Sequence, residues 1–393
     1  GDYVKVEDNY KDLPVAYWVY PENQNEAFRS FGKTPDMLDY FNKLTGISYP
    51  FEKYDQVIVS EFMWGGMENI TLTHNTDRTM HDSKAQPDHS SDGLVAHELA
   101  HQWYGNMITT RNWANIWLNE GFATYFSRLY LTKDRGKDEG DYIRFNEIRG
   151  FKSADKRKRR PTVDYNYEEP FELFSSHVYA KGSLILNMLH DVLGDDGFWR
   201  SIKHYTAKNK LKNVETVDLK KSIEVTTGQN LDWFFKQWVY EPGFPDYDVS
   251  WTYNQRNKLL SLRVKQIQDL KTTSLFKMPI NILIDNGTIE EHVIWVEDLD
   301  SVFKIHTDKR PKMVVFNSGI KVPSNLKMQK SVSDLKYQLV NAPNVLDRIW
   351  ASQQLSKKKG RKIVEYTLSE SAKRDSFWAC LLYTSPSPRD LRE

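Results

Sequence analysis

The 393-residue sequence predicts an α+β chain: a mixed N-terminal stretch, a helical middle, a small β-sandwich and the start of an α-helical region. Three observations predict it. Helix-period apolar runs dominate from Ser91 to about Tyr240, period-two alternation follows, and helical periodicity returns from about Ser331. With 12 Trp, 21 Tyr, 19 Phe and 39% hydrophobic residues, the chain has enough apolar surface for more than one core.

Taken in order, residues 1 to about 75 mix helix-like and strand-like runs. "TPDMLDYFNKLTG" opens on a Thr cap, carries apolar periodicity and closes on Gly46, so it reads as a helix. "QVIVSEF" and "ENITLTH" read as strands, with Gly65-Gly66 between them. Helices are then expected over "DGLVAHELAHQWYG", "LNEGFATYFSRLYLTK", "VYAKGSLILNMLHDVLG", "DDGFWRSIKHYTAKN" and "NLDWFFKQWVYEPG". The Pro/Gly-rich "YEPGFPDYDV" marks a boundary. After it "DVSWTYN", "LLSLRVKQIQ", "FKMPINILIDN", "EEHVIWVED" and "MVVFNSG" alternate as sandwich strands. The Ser/Pro/Arg-rich end "LLYTSPSPRDLRE" breaks the preceding pattern and reads as a non-native tail. The expected division is 1–245, 246–325, 326–380 and 381–393.

Charge excludes several roles. With 54 basic and 53 acidic residues the formal net charge is +1, which gives no global electrostatic basis for a nucleic-acid or anionic-membrane partner. The run "KRKRR", Lys156 to Arg160, is read as a solvated loop between helices. Cys380, the single cysteine, has no internal partner for a disulfide. No apolar run reaches the ~18 residues of a membrane-spanning helix. The start "GDYVKVEDNY" lacks an initiator Met, so the true N-terminus is expected to lie elsewhere. Cytoplasm and bacterial envelope both stay open as compartments.

The chemistry concentrates in "VAHELAHQWYGN", Val95 to Asn106. On a helix His97 and His101 lie about 40° apart and one turn along, so both imidazoles can reach one ion. Glu98 sits on the adjacent flank, where its carboxylate can serve a water held by that ion. A catalytic zinc site usually takes three protein ligands. Glu120 of "NIWLNEGFATYF", 19 residues after His101, is the next candidate, on what reads as the partner helix.

These residues, together with "GGMEN" (Gly65 to Asn69) upstream, resemble the M1 (gluzincin) aminopeptidase family. The resemblance covers about residues 1–245. It implies a thermolysin-like catalytic domain, one zinc ion on His97, His101 and Glu120, and Glu98 as general base. It assigns Glu68 to the free α-amine of a peptide substrate and matches the family's catalytic tyrosine to Tyr179 of "HVYAKGSLIL". The expected function is metal-activated hydrolysis of the N-terminal residue from peptides. An inactive binding relative and leukotriene-hydrolase-like epoxide opening are the alternatives. The residues carry their own logic as well. "GGMEN" separates two strand-like runs, so its backbone can pair with an extended substrate, and Gly65 and Gly66 permit close approach. Met67, Trp64 and Phe62 are the nearest side chains for a first-residue pocket, and His177 is a candidate for the cleft wall. Family members usually begin with a β-rich domain and often carry a long helical C-terminal domain. The first is expected to be absent here and the second cut short, with the full-length gene product as the competent enzyme.

Overall fold

The computed structural model describes residues 2–86, 88–358, 362–375 and 377–378; Cys380 and the 381–393 tail lie outside them. The chain divides into two compact units, Gly1–Gly136 with Glu147–Tyr240, and Lys137–Asn146 with Glu241–Glu393.

In the first unit, β1 (Val4–Tyr10) and β2 (Leu13–Val19) form an antiparallel hairpin. Its turn places Lys11 at φ 55°, in the left-handed region. The helices α1 (Ala27–Phe31) and α2 (Thr34–Thr45) follow, then β3 (Tyr54–Val59), β4 (Gly66–Met67) and β5 (Leu72–Thr76). The sheet order is β1-β2-β3-β5-β4, with β2, β3 and β5 parallel and β4 running antiparallel along the edge. Parallel neighbours need a crossover, and α1 and α2 supply the one between β2 and β3.

The α2 start departs from the expected Thr cap. Lys33 holds the cap position, and the Thr34 hydroxyl instead donates to the Phe31 carbonyl at 2.6 Å and accepts from Gln56. The closing glycine, Gly46, is left-handed at φ 71°, which ends the helix without a Cβ penalty.

Helices then take over: α3 (Asp92–Ala100), α4 (Trp117–Arg135), α5 (Lys137–Arg157), α6 (Ala180–Lys208), α7 (Thr216–Thr227) and α8 (Asp232–Phe235). Short strands β6 (Ile108–Thr110) and β7 (Lys212–Val214) pair in parallel between them. Gly194, at φ 69°, breaks α6 into the two segments its sequence suggests. Buried aromatics of α2, α4 and the turn after α3 meet in one core: Phe41 packs edge-on to Trp103 and Phe126, and Tyr104 stacks on Phe122 at 4.3 Å.

"KRKRR" is not one solvated loop. Lys156 and Arg157 are exposed in the last turn of α5, where cations complement the helix dipole. Arg160 is buried and donates to the Leu173 carbonyl at 2.6 Å and to Ser175 at 2.7 Å. The burial is possible because the guanidinium finds these acceptors together with Asp164 at 3.8 Å.

The second unit holds β8 (Asp246–Asn254), β9 (Leu259–Gln266), β10 (Met278–Asp285), β11 (Ile289–Val296), β12 (Asp300–His306), β13 (Met313–Phe316) and β14 (Asn325–Met328). They form one sheet in the order β12-β9-β8-β14 and another in the order β11-β10-β13. Inward residues such as Leu260, Leu262 and Val264 alternate with exposed ones, and Tyr247 of the first sheet meets Phe316 of the second at 5.1 Å. The helices α9 (Val332–Asn341), α10 (Val345–Ser356) and α11 (Lys362–Arg374) follow. Ser331 caps α9 in a reciprocal box with Asp334.

Candidate active site

The site grows from α3. Val95, Ala96, Leu99 and Ala100 bury the inner side of this helix, which fixes its rotation and aims His97 and His101 toward α4. On α4 the first turn supplies Glu120. Its Oε2 lies 3.3 Å from His97 Nε2 and 3.2 Å from His101 Nε2, and the two imidazole nitrogens are 3.1 Å apart. Tetrahedral ligands bonded at ~2.0–2.1 Å sit about 3.3–3.4 Å from one another, so this triangle suits a zinc-sized cation. His101 Nδ1 lies 2.9 Å from the Tyr104 carbonyl, and an N–H there leaves Nε2 with its lone pair facing the triangle.

Glu98 is buried, and its Oε2 has no hydrogen-bond partner among the described residues. Burial pushes its pKa up to about 8; Glu68 and Glu120 add to this, while His101 opposes it. Burial alone would lower His101, but Glu68, Glu120 and Glu98 outweigh it and hold the imidazole up. Glu120 moves the other way, its burial outweighed by the two histidines. Three carboxylates thus crowd two imidazoles in a buried space, an arrangement that favours a bound cation.

The strand β4 lies across α3. A Cβ on Gly65 would touch Leu94 at 3.2 Å, and one on Gly66 would overlap the Glu98 carboxyl. Glycine at position 66 is therefore a requirement of close approach rather than of turn flexibility. Glu68 follows, its Oε1 3.9 Å from His101 Nδ1, while Met67 is 38% exposed. Tyr179, at the start of α6, stacks its ring 6.1 Å from that of His97. Burial, with Glu120, Glu68 and Glu98 nearby, keeps its hydroxyl protonated far above neutral pH. The structure thus brings together His97, Glu98, His101, Glu120, Gly65, Gly66, Glu68 and Tyr179 within the first unit.

His177 does not line a cleft. It is 2% exposed, packs edge-on to Phe151 and faces Asp155 at 3.5 Å, behind Tyr179. Two residues that sequence reasoning passed over do reach the site. Gln102 and Asn106 both donate their side-chain amides to the Glu68 carbonyl, at 3.0 and 2.6 Å. They tie the turn that follows α3 to the segment directly after β4 that carries the glutamate. Their signal was available as two amides inside the histidine motif, but nothing in its periodicity names their partner.

Comparison with known proteins follows the same residues. The peptidase family M1 domain matches residues 29–238, more than half of the chain. The chain is 28% identical over 258 residues to "Probable aminopeptidase 1" of Sulfurisphaera tokodaii, covering 64% of this chain and 33% of that protein. It is 26% identical over 344 residues to "Leucyl aminopeptidase" of Saccharolobus solfataricus, covering 83% and 43%. With human "Glutamyl aminopeptidase" the identity is 28% over 288 residues, covering 70% and 30%. The chain therefore spans less than half the length of each of these relatives. Among solved structures, aminopeptidase A of Legionella pneumophila in complex with aspartic acid superposes with a TM-score of 0.85 at 19% identity, over 99% of this chain and 47% of that one. That likeness establishes a shared mixed α+β fold. Motif order, site geometry and the domain match agree, and the chain belongs to peptidase family M1.

Proposed function

We propose that this chain carries the catalytic centre of a zinc-dependent aminopeptidase that removes the N-terminal residue of peptides. The observation that carries the reading is the triangle of His97, His101 and Glu120 donors with the buried Glu98 beside it, whose Oε2 has no partner among the described residues. In this reading residues 1–245 are a thermolysin-like catalytic domain, followed by a β-sandwich over 246–325 and the start of a helical domain over 326–380. His97, His101 and Glu120 hold the zinc ion. When bound, zinc acts as a Lewis acid that acidifies water and polarises the scissile carbonyl.

The chain's own residues do the rest. Glu98 takes the proton of the attacking water and returns it to the leaving amine. The Tyr179 hydroxyl, kept protonated, donates toward the oxygen on which negative charge develops. Gly65 and Gly66 let an extended peptide pair with the edge of β4, close to Glu98. Glu68 binds the free ammonium group, which restricts cutting to the first residue. The names of the relatives, all aminopeptidases, support this reading.

The test combines a substitution with a blocked substrate. Glu98→Gln is expected to retain its metal by elemental analysis while hydrolysis of aminoacyl chromogenic substrates falls about 10²–10⁴-fold. Chelation should abolish activity and added zinc restore it. Cleavage of N-acetylated peptides, or full activity in Glu98→Gln, would sink the proposal.

A further inference from the structure

The first turn of α6 is held from several sides. Its Gly182 touches Gly121 of α4, its Lys181 reaches across to α5, and Tyr179, directly before the helix, turns its ring toward His97. Lys181 is 0% exposed, and its Nζ stands 5.2 Å from the centroid of Phe151 on α5. Burial pushes the amine down to about 7; Asp155 opposes the shift and Arg160 adds to it. A buried ammonium is costly, and a methionine would fill the same space without that cost. Lysine at this position therefore calls for a role that packing does not supply.

Asp155 supplies one. It lies one turn after Phe151 on α5, so the two share a face. Arg159 donates to its Oδ2 at 2.9 Å, and its Oδ1 faces His177 Nε2 at 3.5 Å. Lys181 Nζ, Asp155 Oδ1 and His177 Nε2 are all buried, and none has a hydrogen-bond partner among the described residues, so each acts chiefly on the others. His177 precedes Tyr179 by two residues and Lys181 follows it by two, so both flanks of the tyrosine answer to one carboxylate. The intervening backbone is tied down as well. The Tyr179 amide donates to the Ser175 carbonyl at 3.3 Å and the Lys181 amide to the Ser176 carbonyl at 2.8 Å. Ser175 Oγ lies 3.2 Å from His177 Nδ1 and accepts from the buried Arg160 at 2.7 Å.

We propose that Asp155, His177 and Lys181 form a buried clamp that aims the Tyr179 hydroxyl, with Lys181 as a positioning residue for the oxygen on which negative charge develops. This rests on the reading of Tyr179 as the donor to that oxygen. The clamp touches neither substrate nor metal ligands and acts only through the tyrosine it brackets.

The experiment combines Lys181→Met with Asp155→Asn in the zinc-reconstituted 393-residue chain. Removing both leaves no unpaired buried charge, and Arg159, 41% exposed, turns to water. For aminoacyl chromogenic substrates kcat is expected to fall about 10- to 100-fold, as a misplaced group implies, with KM within about twofold and metal content at the parent's level. In a Tyr179→Phe background the same pair should cost less than about threefold further, because the hydroxyl it positions is gone. A binding arm follows, by calorimetry, a phosphinic pseudodipeptide whose tetrahedral anionic oxygen stands in for the developing charge. Its Kd should rise about tenfold in the pair variant and stay level when the pair is added to Tyr179→Phe. Parental kcat in the pair variant, or an equal loss with and without the Tyr179 hydroxyl, overturns the clamp and leaves the aminopeptidase reading standing. A collapsed urea midpoint in the pair variant overturns it too, since the cluster then serves the fold alone. Full activity in Tyr179→Phe, or a parent that neither hydrolyses substrate nor binds the phosphinate, refutes the reading on which the clamp rests. If the parent binds without turnover, the two Kd comparisons decide the clamp alone.

Discussion

At the scale of single residues, the Glu68 carbonyl is the joint between the two halves of the site. Asn106 reaches it at 2.6 Å and Gln102 at 3.0 Å, and the Gln102 side-chain Oε1 in turn accepts from the Thr71 backbone amide at 3.2 Å. One such hydrogen bond is worth about 1 kcal/mol net. On the proposed function, Asn106→Ala should therefore lower kcat/KM for free-amine substrates about fivefold while metal content, measured by elemental analysis, matches that of the parent. A loss of metal would show that Asn106 supports α3 rather than the strand. The convergence of His97 and His101 was legible because helix geometry converts a four-residue spacing into a shared face. The amide clamp was not, since its partner lies 34 to 38 residues earlier, directly after a strand, and no local pattern encodes that pairing.

At the scale of elements, α4 and α6 cross where Gly121 meets Gly182. A Cβ on Gly121 would stand 2.8 Å from the Gly182 Cα, so the two backbones touch. Glu120 and Tyr179 flank this crossing and take their separation from it. Gly182→Ala forces the helices apart at a cost of about 1–3 kcal/mol. Urea unfolding of the variant should register that loss, together with weaker zinc retention against a chelator. An unchanged midpoint would mean that the crossing relaxes freely. Other elements were hidden for identifiable reasons. α7 carries β-branched Thr216, Val217, Val225, Thr226 and Thr227, which favour strands, and is set by the box between Glu215 and Asp218 instead. α5 is diluted by charge, and its buried Phe145, Ile148 and Phe151 stand out only once packed. β12 is an edge strand in which apolar Val302 faces out and polar Ser301 takes an inner position, so its alternation is weak.

At the scale of the whole molecule, the second unit contains a buried pair of opposite charge types. Asp347 accepts from the Ser318 hydroxyl at 2.6 Å and the Gly319 amide at 2.9 Å, and burial still pushes its pKa up to about 6. Lys330 donates to the Val314 carbonyl at 2.6 Å and to Gln338, and burial brings it down to about 8. A carboxyl raised from its ordinary 3.8 binds its proton more tightly when folded. Its contribution is thus complete below pH ~4 and lost as pH rises through ~6, amounting to about 3 kcal/mol at most. The stability difference between the parent and Asp347→Asn, read from urea unfolding, should shift against the parent across that window. A pH-independent difference would show that Asp347 titrates normally. The fold-level reading rested on changes of period along the sequence, which mark where helices give way to strands. The split of α5 between the two units was beyond it, because residues 137–146 and 147–157 form one unbroken helix.

The contact between Gly66 and Glu98 has a further meaning once a peptide is anchored at Glu68. The anchor directly follows the strand, two residues after Gly66, and a bound peptide advances with the same pitch as that strand. On the proposed reading the strand works as a ruler. It counts from the amine to the bond, so the size of the released product follows from backbone register rather than from the shape of any side-chain pocket.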